Sequence, residues 1–306
     1  MASDTGGDDE ELSPHIQLNS DTAVREHELG AQHLAGAMAL SRAANWNQCE
    51  ADWRMMLRLG RGWGLTAADG TLVASIVVLP YGDAFAWMSM VLVSPQHRRL
   101  GYASRMLRRA LGHLRERGLT AVLDATPAGH EVYVQEGLRD TWGFQRYKLA
   151  SAPRAPGLQH APGFALRSIA DGDWPQILAL DLPAFGARRE ALLRALRARL
   201  PEAALVAERE GKICAFLFGR DGREARQLGP LVAHDPVAAQ ALLAHALARV
   251  AAPIYVDIVD RHAGLRDWAL QRGFEVQRPF TRMVHGAERA PGNNEGVMLV
   301  AGPELG

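Results

Sequence analysis

The 306-residue chain predicts an α/β (α+β) fold made of two tandem copies of one domain, each a mixed, mostly antiparallel sheet flanked by helices. Equal spacings between the two halves carry this reading. Asp69-Gly70 and Glu210-Gly211 each read as a hairpin turn before an apolar run, Leu72 to Leu79 and Ile213 to Phe218. Gly70 to Pro95 and Gly211 to Pro236 both span 25 residues. Gly137-Leu138 leads to Phe144 and Arg146, and Gly273-Phe274 leads to Phe280 and Arg282 at the same offsets. Met106, Leu107, Ala110, Leu111 and Leu114 recur as one helical face, as do Leu242, Leu243, Ala246, Leu247 and Val250. A repeat of this kind argues for two domains of one fold.

Taken in order, residues 1–14 are acidic, Gly-rich and poor in large apolar side chains, as in a disordered tail. A first domain follows over 15–149, opening with a strand at Ile16 to Leu18 and a helix cap at Asp21. Two helices, a hairpin, a strand ending at Pro95, a loop and a helix come next. A strand through Val122 to Ala125, a helix around Tyr133 and a last strand complete it. The Ala/Pro-rich stretch 150–162 reads as a linker. The second domain spans 163–306, opening with Ala165 to Arg167 and the possible caps Asp171 and Asp173. A Pro/Gly/Asn loop from Gly286 to Gly296 precedes a short strand, Val297 to Val300.

Composition excludes several classes. A 48% apolar and 22% charged chain is that of a globular protein, and 306 residues suffice for two cores. Net charge is zero, so no global field draws it to nucleic acid or a membrane. No signal-like h-region follows Met1 and no run of 18 apolar residues occurs, which makes the cytoplasm the expected location. Cys49 and Cys214 lie far apart with no metal or redox spacing, and no metal is expected. Arginines 98, 99, 105, 108, 109, 115 and 117 crowd the segment 91–117. The helical ones read as a solvated face, whereas Arg98 and Arg99 precede the helix inside a glycine-containing loop.

That loop carries the chemistry. The apolar run around Val91 and Val93 stops at Pro95, and Arg98-Arg99-Leu100-Gly101-Tyr102-Ala103-Ser104 leads into the amphipathic helix. A strand feeding a helix N-terminus makes an anion site, because free backbone N–H groups converge where the helix dipole is positive. Gly101 permits a positive φ, and Ala103 leaves room for a phosphate. The spacing Arg98-x-x-Gly101-x-Ala103 resembles the pyrophosphate motif of the GNAT superfamily of N-acetyltransferases. Tyr133-Val-Gln-Glu-Gly-Leu138 resembles its Tyr-x-x-x-Gly-Phe motif, with Leu138 in place of Phe. The second half resembles the degenerate C-terminal domains of tandem GNAT proteins. It lacks five residues between Pro236 and Leu242, the loop itself, and opens its helix with Asp235, whose carboxylate would repel pyrophosphate. One acetyl-CoA site is therefore expected, in the first half. Mycothiol synthases are also tandem GNATs, but their C-terminal copy does the chemistry, and here that copy has no loop.

The resemblance implies that acetyl-CoA is the cosubstrate, held by Arg98, Arg99, Gly101, Tyr102, Ala103 and Ser104. It also implies a splayed strand whose backbone at Val91 and Val93 meets the pantetheine arm. Tyr133 matches the family's general acid, against the simpler reading of a packed ring with its hydroxyl in water. Asp124 is the candidate base, or else a helix cap. His130 and Asp83 are weaker candidates, and a water chain is a further alternative, since the strand Phe85 to Met90 carries no carboxylate. Asn45-Trp46-Asn47, Asp52-Trp53, Arg189, Arg220 and Asp257 are open between acceptor contacts and structure. The expected reaction is acetylation of a primary amine on a small molecule, the C-terminal domain shaping the acceptor site. Protein N-acetylation and a non-catalytic acyl-CoA sensor are the rivals. No nucleic-acid or membrane partner is expected, and the oligomeric state is left open.

Overall fold

A computed structural model of the protein describes residues 24–151 and 163–306. The expected tail, the strand at Ile16 to Leu18, the cap at Asp21 and linker residues 152–162 lie outside the described residues.

In the first half, strand β1 (Arg25–Glu28) leads through a short turn to helices α1 (Leu34–Ala43) and α2 (Glu50–Leu59). Strands β2 (Arg61–Thr66), β3 (Leu72–Tyr81) and β4 (Phe85–Val93) form an antiparallel meander. Helix α3 (Tyr102–Glu116), β5 (Thr120–Ala125), α4 (Pro127–Gln135) and β6 (Arg139–Leu149) complete it. The second half repeats this order: β7 (Ala165–Ser168), α5 (Trp174–Phe185), α6 (Glu190–Arg199), β8 (Leu205–Arg209), β9 (Lys212–Arg220) and β10 (Arg226–Ala233). Then come α7 (Pro236–Leu247), β11 (Ile254–Val259), α8 (Ala263–Gln271) and β12 (Glu275–His285), with one addition, β13 (Val297–Leu299). The sequence repeat is thus a structural repeat, element for element.

Local chemistry sets these elements. The tip of the β8–β9 hairpin has positive φ at both Glu210 and Gly211, which matches the right-handed twist of the strands it joins. Helix α3 turns Met106, Leu107, Ala110 and Leu114 inward, and its arginines lie on the other face. Arg105 and Arg109 meet Glu26 there, and Arg108 meets Glu136. They lie on the helix face that the sequence predicts to be solvated, and such pairs carry small energetic weight.

The strands join one sheet in the order β1-β2-β3-β4-β5-β12-β6-β11-β13-β10-β9-β8-β7. The halves exchange their last long strands: β12 lies beside β5 of the first half, and β6 lies beside β11 of the second. Where the two exchanged strands meet, Phe144 pairs with Phe280, and the rings stack with centroids 5.0 Å apart. Because equivalent residues of antiparallel neighbours face each other there, the two halves are related by a local two-fold at that pair. One core packs α3 and α4 on the first half, and a second packs α7 and α8 on the other. A third, containing Trp53, Trp87, Phe144, Trp174, Phe185 and Phe280, is shared. No described helix is long and apolar enough to cross a membrane.

Candidate active site

The sheet opens at one place in the first half. β4 runs parallel to β5 only from Phe85 to Trp87, opposite Thr120 to Val122, and beyond Trp87 the ladder between them stops. On its other edge β4 stays paired with β3, but the register slips between Ser75 and Val77. Met90 there has φ +53°, and its carbonyl accepts a hydrogen bond from Ser75 Oγ at 2.8 Å. A bulge of this kind bends a strand and raises its twist. The segment Met88 to Val93 therefore swings away from β5, with Val91 and Val93 on its free edge. The splay expected from the sequence is present.

At the α3 end of this gap the backbone has the positive φ that the sequence predicts. Gly101 lies in the left-handed region (φ +76°, ψ 7°) and precedes α3, with no side chain capping the N–H groups that follow. The first helical bond runs from Arg105 N to Gly101 O, so the N–H groups of Tyr102, Ala103 and Ser104 have no intrahelical acceptor. A Cβ placed on Gly101 would meet nothing within 4 Å, and no acidic residue stands in the first turn. Arg98 and Arg99 make no ion pair among the described residues. Open space, free donors and free guanidinium groups suit a pyrophosphate.

From this cradle a groove of about 550 Å³ runs between β4 and α4. Val91, Val93, Arg98, Ala103 and Tyr133 line it together, whereas Arg99, Gly101, Tyr102 and Ser104 stand outside its wall. At the far end a smaller inner pocket, about 30 Å³, shares Trp46, Val91, Thr126, Tyr133 and Arg278 with the groove. Space of that size holds a head group of a few atoms. The Tyr133 ring lies against Gly129, where a Cβ would come within 2.9 Å of the ring. Its hydroxyl has no hydrogen-bond partner among the described residues, and burial pushes its pKa well above the ordinary tyrosine value. The phenol therefore keeps its proton at neutral pH.

Asp124 sits on the inner pocket's wall, but the geometry makes it structural. Arg282 Nε and Nη2 donate to its two oxygens at 2.8 and 3.0 Å, tying exchanged strand β12 to β5. At the equivalent place in the second half, Arg146 holds Asp257 at 2.8 and 2.7 Å, tying β6 to β11. The same pair in a half with no phosphate loop marks a lock on the strand exchange. This corrects the expectation of Asp124 as base. Burial holds its carboxyl above the usual range, against the pull of Arg282. His130 pairs with Asp140 outside both cavities, and Asp83 lies in the exposed β3–β4 turn.

The remaining open residues also resolve. Arg189 holds Asp181, and Arg220 holds Asp52 and Glu304, all buried. Trp53 is core, whereas Trp46 lines both cavities. Asn47 clasps the second half, donating to Ala225 O at 2.9 Å and accepting from the N–H groups of Glu224 and Ala225. Among the residues of the inner pocket that sequence reasoning missed are Gln48, Arg278 and Glu304. Glu304 follows β13 on a segment held to the first half by Trp87 Nε1 to Pro303 O (3.0 Å) and Tyr81 Oη to Leu305 O (2.7 Å). No periodicity marks such a segment.

In the second half the equivalent gap is closed. β10 runs parallel to β11 over Arg226 to Leu228, then the strands part and β13 enters between them, pairing with both. Only His234 and Asp235 separate β10 from α7. Asp235 caps that helix, accepting from Val237 N at 2.8 Å, and also pairs with Arg209. A protein carboxylate occupies the anion position.

Two family models match the chain, an acetyltransferase (GNAT) family over residues 31–135 and an acetyltransferase (GNAT) domain over 177–298. The chain is 24% identical over 257 residues to the uncharacterized N-acetyltransferase YitH of Bacillus subtilis, covering 83% of this chain and 88% of that protein. It is 25% identical over 247 residues to a holothin acyltransferase of a Pseudoalteromonas species, covering 80% and 81%. A crystal structure of a putative acetyltransferase from Pyrococcus horikoshii shares the fold, with a TM-score of 0.75 at 18% identity, over 96% of this chain and 100% of that one.

Proposed function

The chain is a tandem GNAT acyltransferase, and we propose that its first domain moves an acetyl group from acetyl-CoA to the primary amine of a small molecule. The single observation that carries this is the open β4–β5 gap, which joins a phosphate cradle at Gly101 to an inner pocket at Tyr133. In this reading the free N–H groups of Tyr102, Ala103 and Ser104, with Arg98 and Arg99, hold the pyrophosphate. The unpaired edge around Val91 and Val93 orients the pantetheine arm and offers an N–H to the developing oxyanion.

The acceptor amine occupies the inner pocket, whose wall comes from both halves: Trp46, Gln48 and Tyr133 from one, Arg278, Phe280 and Glu304 from the other. As the amine nitrogen bonds to the acetyl carbon, the carbon–sulfur bond breaks, and the Tyr133 phenol gives its proton to the leaving sulfur. The amine's surplus proton goes to the pocket's acceptors. Glu304 Oε2 is the carboxylate oxygen on that wall with no partner among the described residues. The small inner pocket takes the amine end of the acceptor and little more. One relative is named a holothin acyltransferase.

Tyr133→Phe tests the assignment. It keeps the ring on Gly129 and removes the proton, so kcat should fall by roughly 10²–10⁴-fold with acetyl-CoA affinity little changed. Near-wild-type turnover would return Tyr133 to a packing role and leave the sulfur without its acid.

A further inference from the structure

Around the inner pocket every arginine but one has a carboxylate. Arg146 has Asp257, Arg282 has Asp124, and Arg220 has Asp52 and Glu304. Arg278 has none: its guanidinium makes no ion pair and no hydrogen bond among the described residues, and its Nε is buried and unpartnered. The Phe280 ring lies 5.4 Å from its Cζ, and Arg146 faces the same ring at 5.3 Å. A half-buried cation beside a second cation, with no carboxylate in contact with it, is costly unless something else supplies the charge.

The backbone puts it there. The β12–β6 register slips between Val276 and Arg278, setting Arg278 opposite Arg146, and bulges re-aim side chains in this way. Arg278 lines both the groove and the inner pocket. Burial first and then the Arg146 charge pull its pKa down, outweighing the opposing charges of Asp257 and Glu304, neither of which touches it. On the same pocket wall stand two unpartnered acceptors, Gln48 Oε1 and Glu304 Oε2. A pocket that offers one free cation and two free acceptors is complementary to a ligand that brings an anion and an ammonium.

We propose that Arg278 is the anion-recognition residue of the acceptor site, and that the acceptor is an amine bearing a carboxylate close to its nitrogen, as in an α-amino acid. This rests on the acetyltransferase reading only for the name acceptor; the charge pattern is a property of the pocket itself. The small inner volume favours groups one or two atoms apart over a long spacer. Acetyl-CoA offers no competing anion here, since its phosphates belong at the Gly101 end of the groove.

Matched pairs that differ by one carboxylate read this directly: L-phenylalanine with phenethylamine, L-leucine with isoamylamine, L-lysine with cadaverine. Binding to the CoA-loaded protein is measured by saturation-transfer NMR, with acetyl transfer followed in parallel. The carboxylate member of at least one pair should bind more tightly. Arg278→Gln should weaken that member by about 30-fold or more, leave its partner amine unchanged, and leave acetyl-CoA affinity unchanged. Arg278→Lys should recover part of the loss. Equal binding or no binding within every pair, or a loss of acetyl-CoA affinity in Arg278→Gln, would overturn the assignment. Selective binding without transfer would keep the charge assignment and fail the enzymatic reading, and transfer without a carboxylate preference would do the reverse.

Discussion

The two halves of this protein share the order of their first strands and helices and one equivalent buried Arg–Asp pair each, yet differ in what they do with one gap. Between β4 and β5 the sheet parts after Trp87 and stays open. Between β10 and β11 it parts after Leu228, and β13 fills the space. The connections differ in the same sense. Eight residues join β4 to α3 around a left-handed Gly101, whereas two join β10 to α7 and end on the carboxylate of Asp235. The fold alone therefore supplies a possible cleft, and the loop and the strand insertion decide whether it is a site. The Arg146–Asp257 and Arg282–Asp124 pairs teach the converse, since a feature kept in both halves belongs to the architecture.

The comparison breaks most severely at Gly101. Gly101→Glu puts a carboxylate where the second half has Asp235, so acetyl-CoA affinity should fall roughly 100-fold or more, like-charge contact costing several kcal/mol. The open space at that Cβ means the variant should fold, with a Tm lowered only by the strain of φ +76°. Unchanged affinity by calorimetry in the folded variant would remove the loop from the site.

The filled gap is tested by Leu299→Ala. Leu299 is fully buried in β13, and its loss should cost about 2–5 kcal/mol in denaturant unfolding, with no second acetyl-CoA site appearing. A cost under about 0.5 kcal/mol would mean that β13 does not pack the gap. The smallest effect belongs to Asp235→Ala, a lost helix cap worth about 1 kcal/mol with no change in acetyl-CoA binding. A measurable change in that binding would give the second half a part in the site.

Much of this was legible in the sequence because it rests on local spacing. The Arg98-x-x-Gly101-x-Ala103 loop, the shorter Pro236 connection and the paired Gly-to-Pro distances all correspond to observed elements. The strand exchange was not. β6 and β12 carry Phe and Arg at the same offsets, so the pattern that revealed the repeat fits either strand into either half. Asp124 was misread for a related reason: its partner Arg282 is remote in sequence and arrives only through that exchange. Arg278 and Glu304 were silent because a bulge and an irregular segment bring them to the pocket, and neither follows a period.

Isothermal titration of acetyl-CoA into the full chain tests the central claim, that an open gap makes a site and a filled one does not. A single site per chain is the predicted result, and Gly101→Glu should weaken it roughly 100-fold or more. Two sites per chain in the wild-type protein, or one that survives Gly101→Glu unchanged, would contradict it.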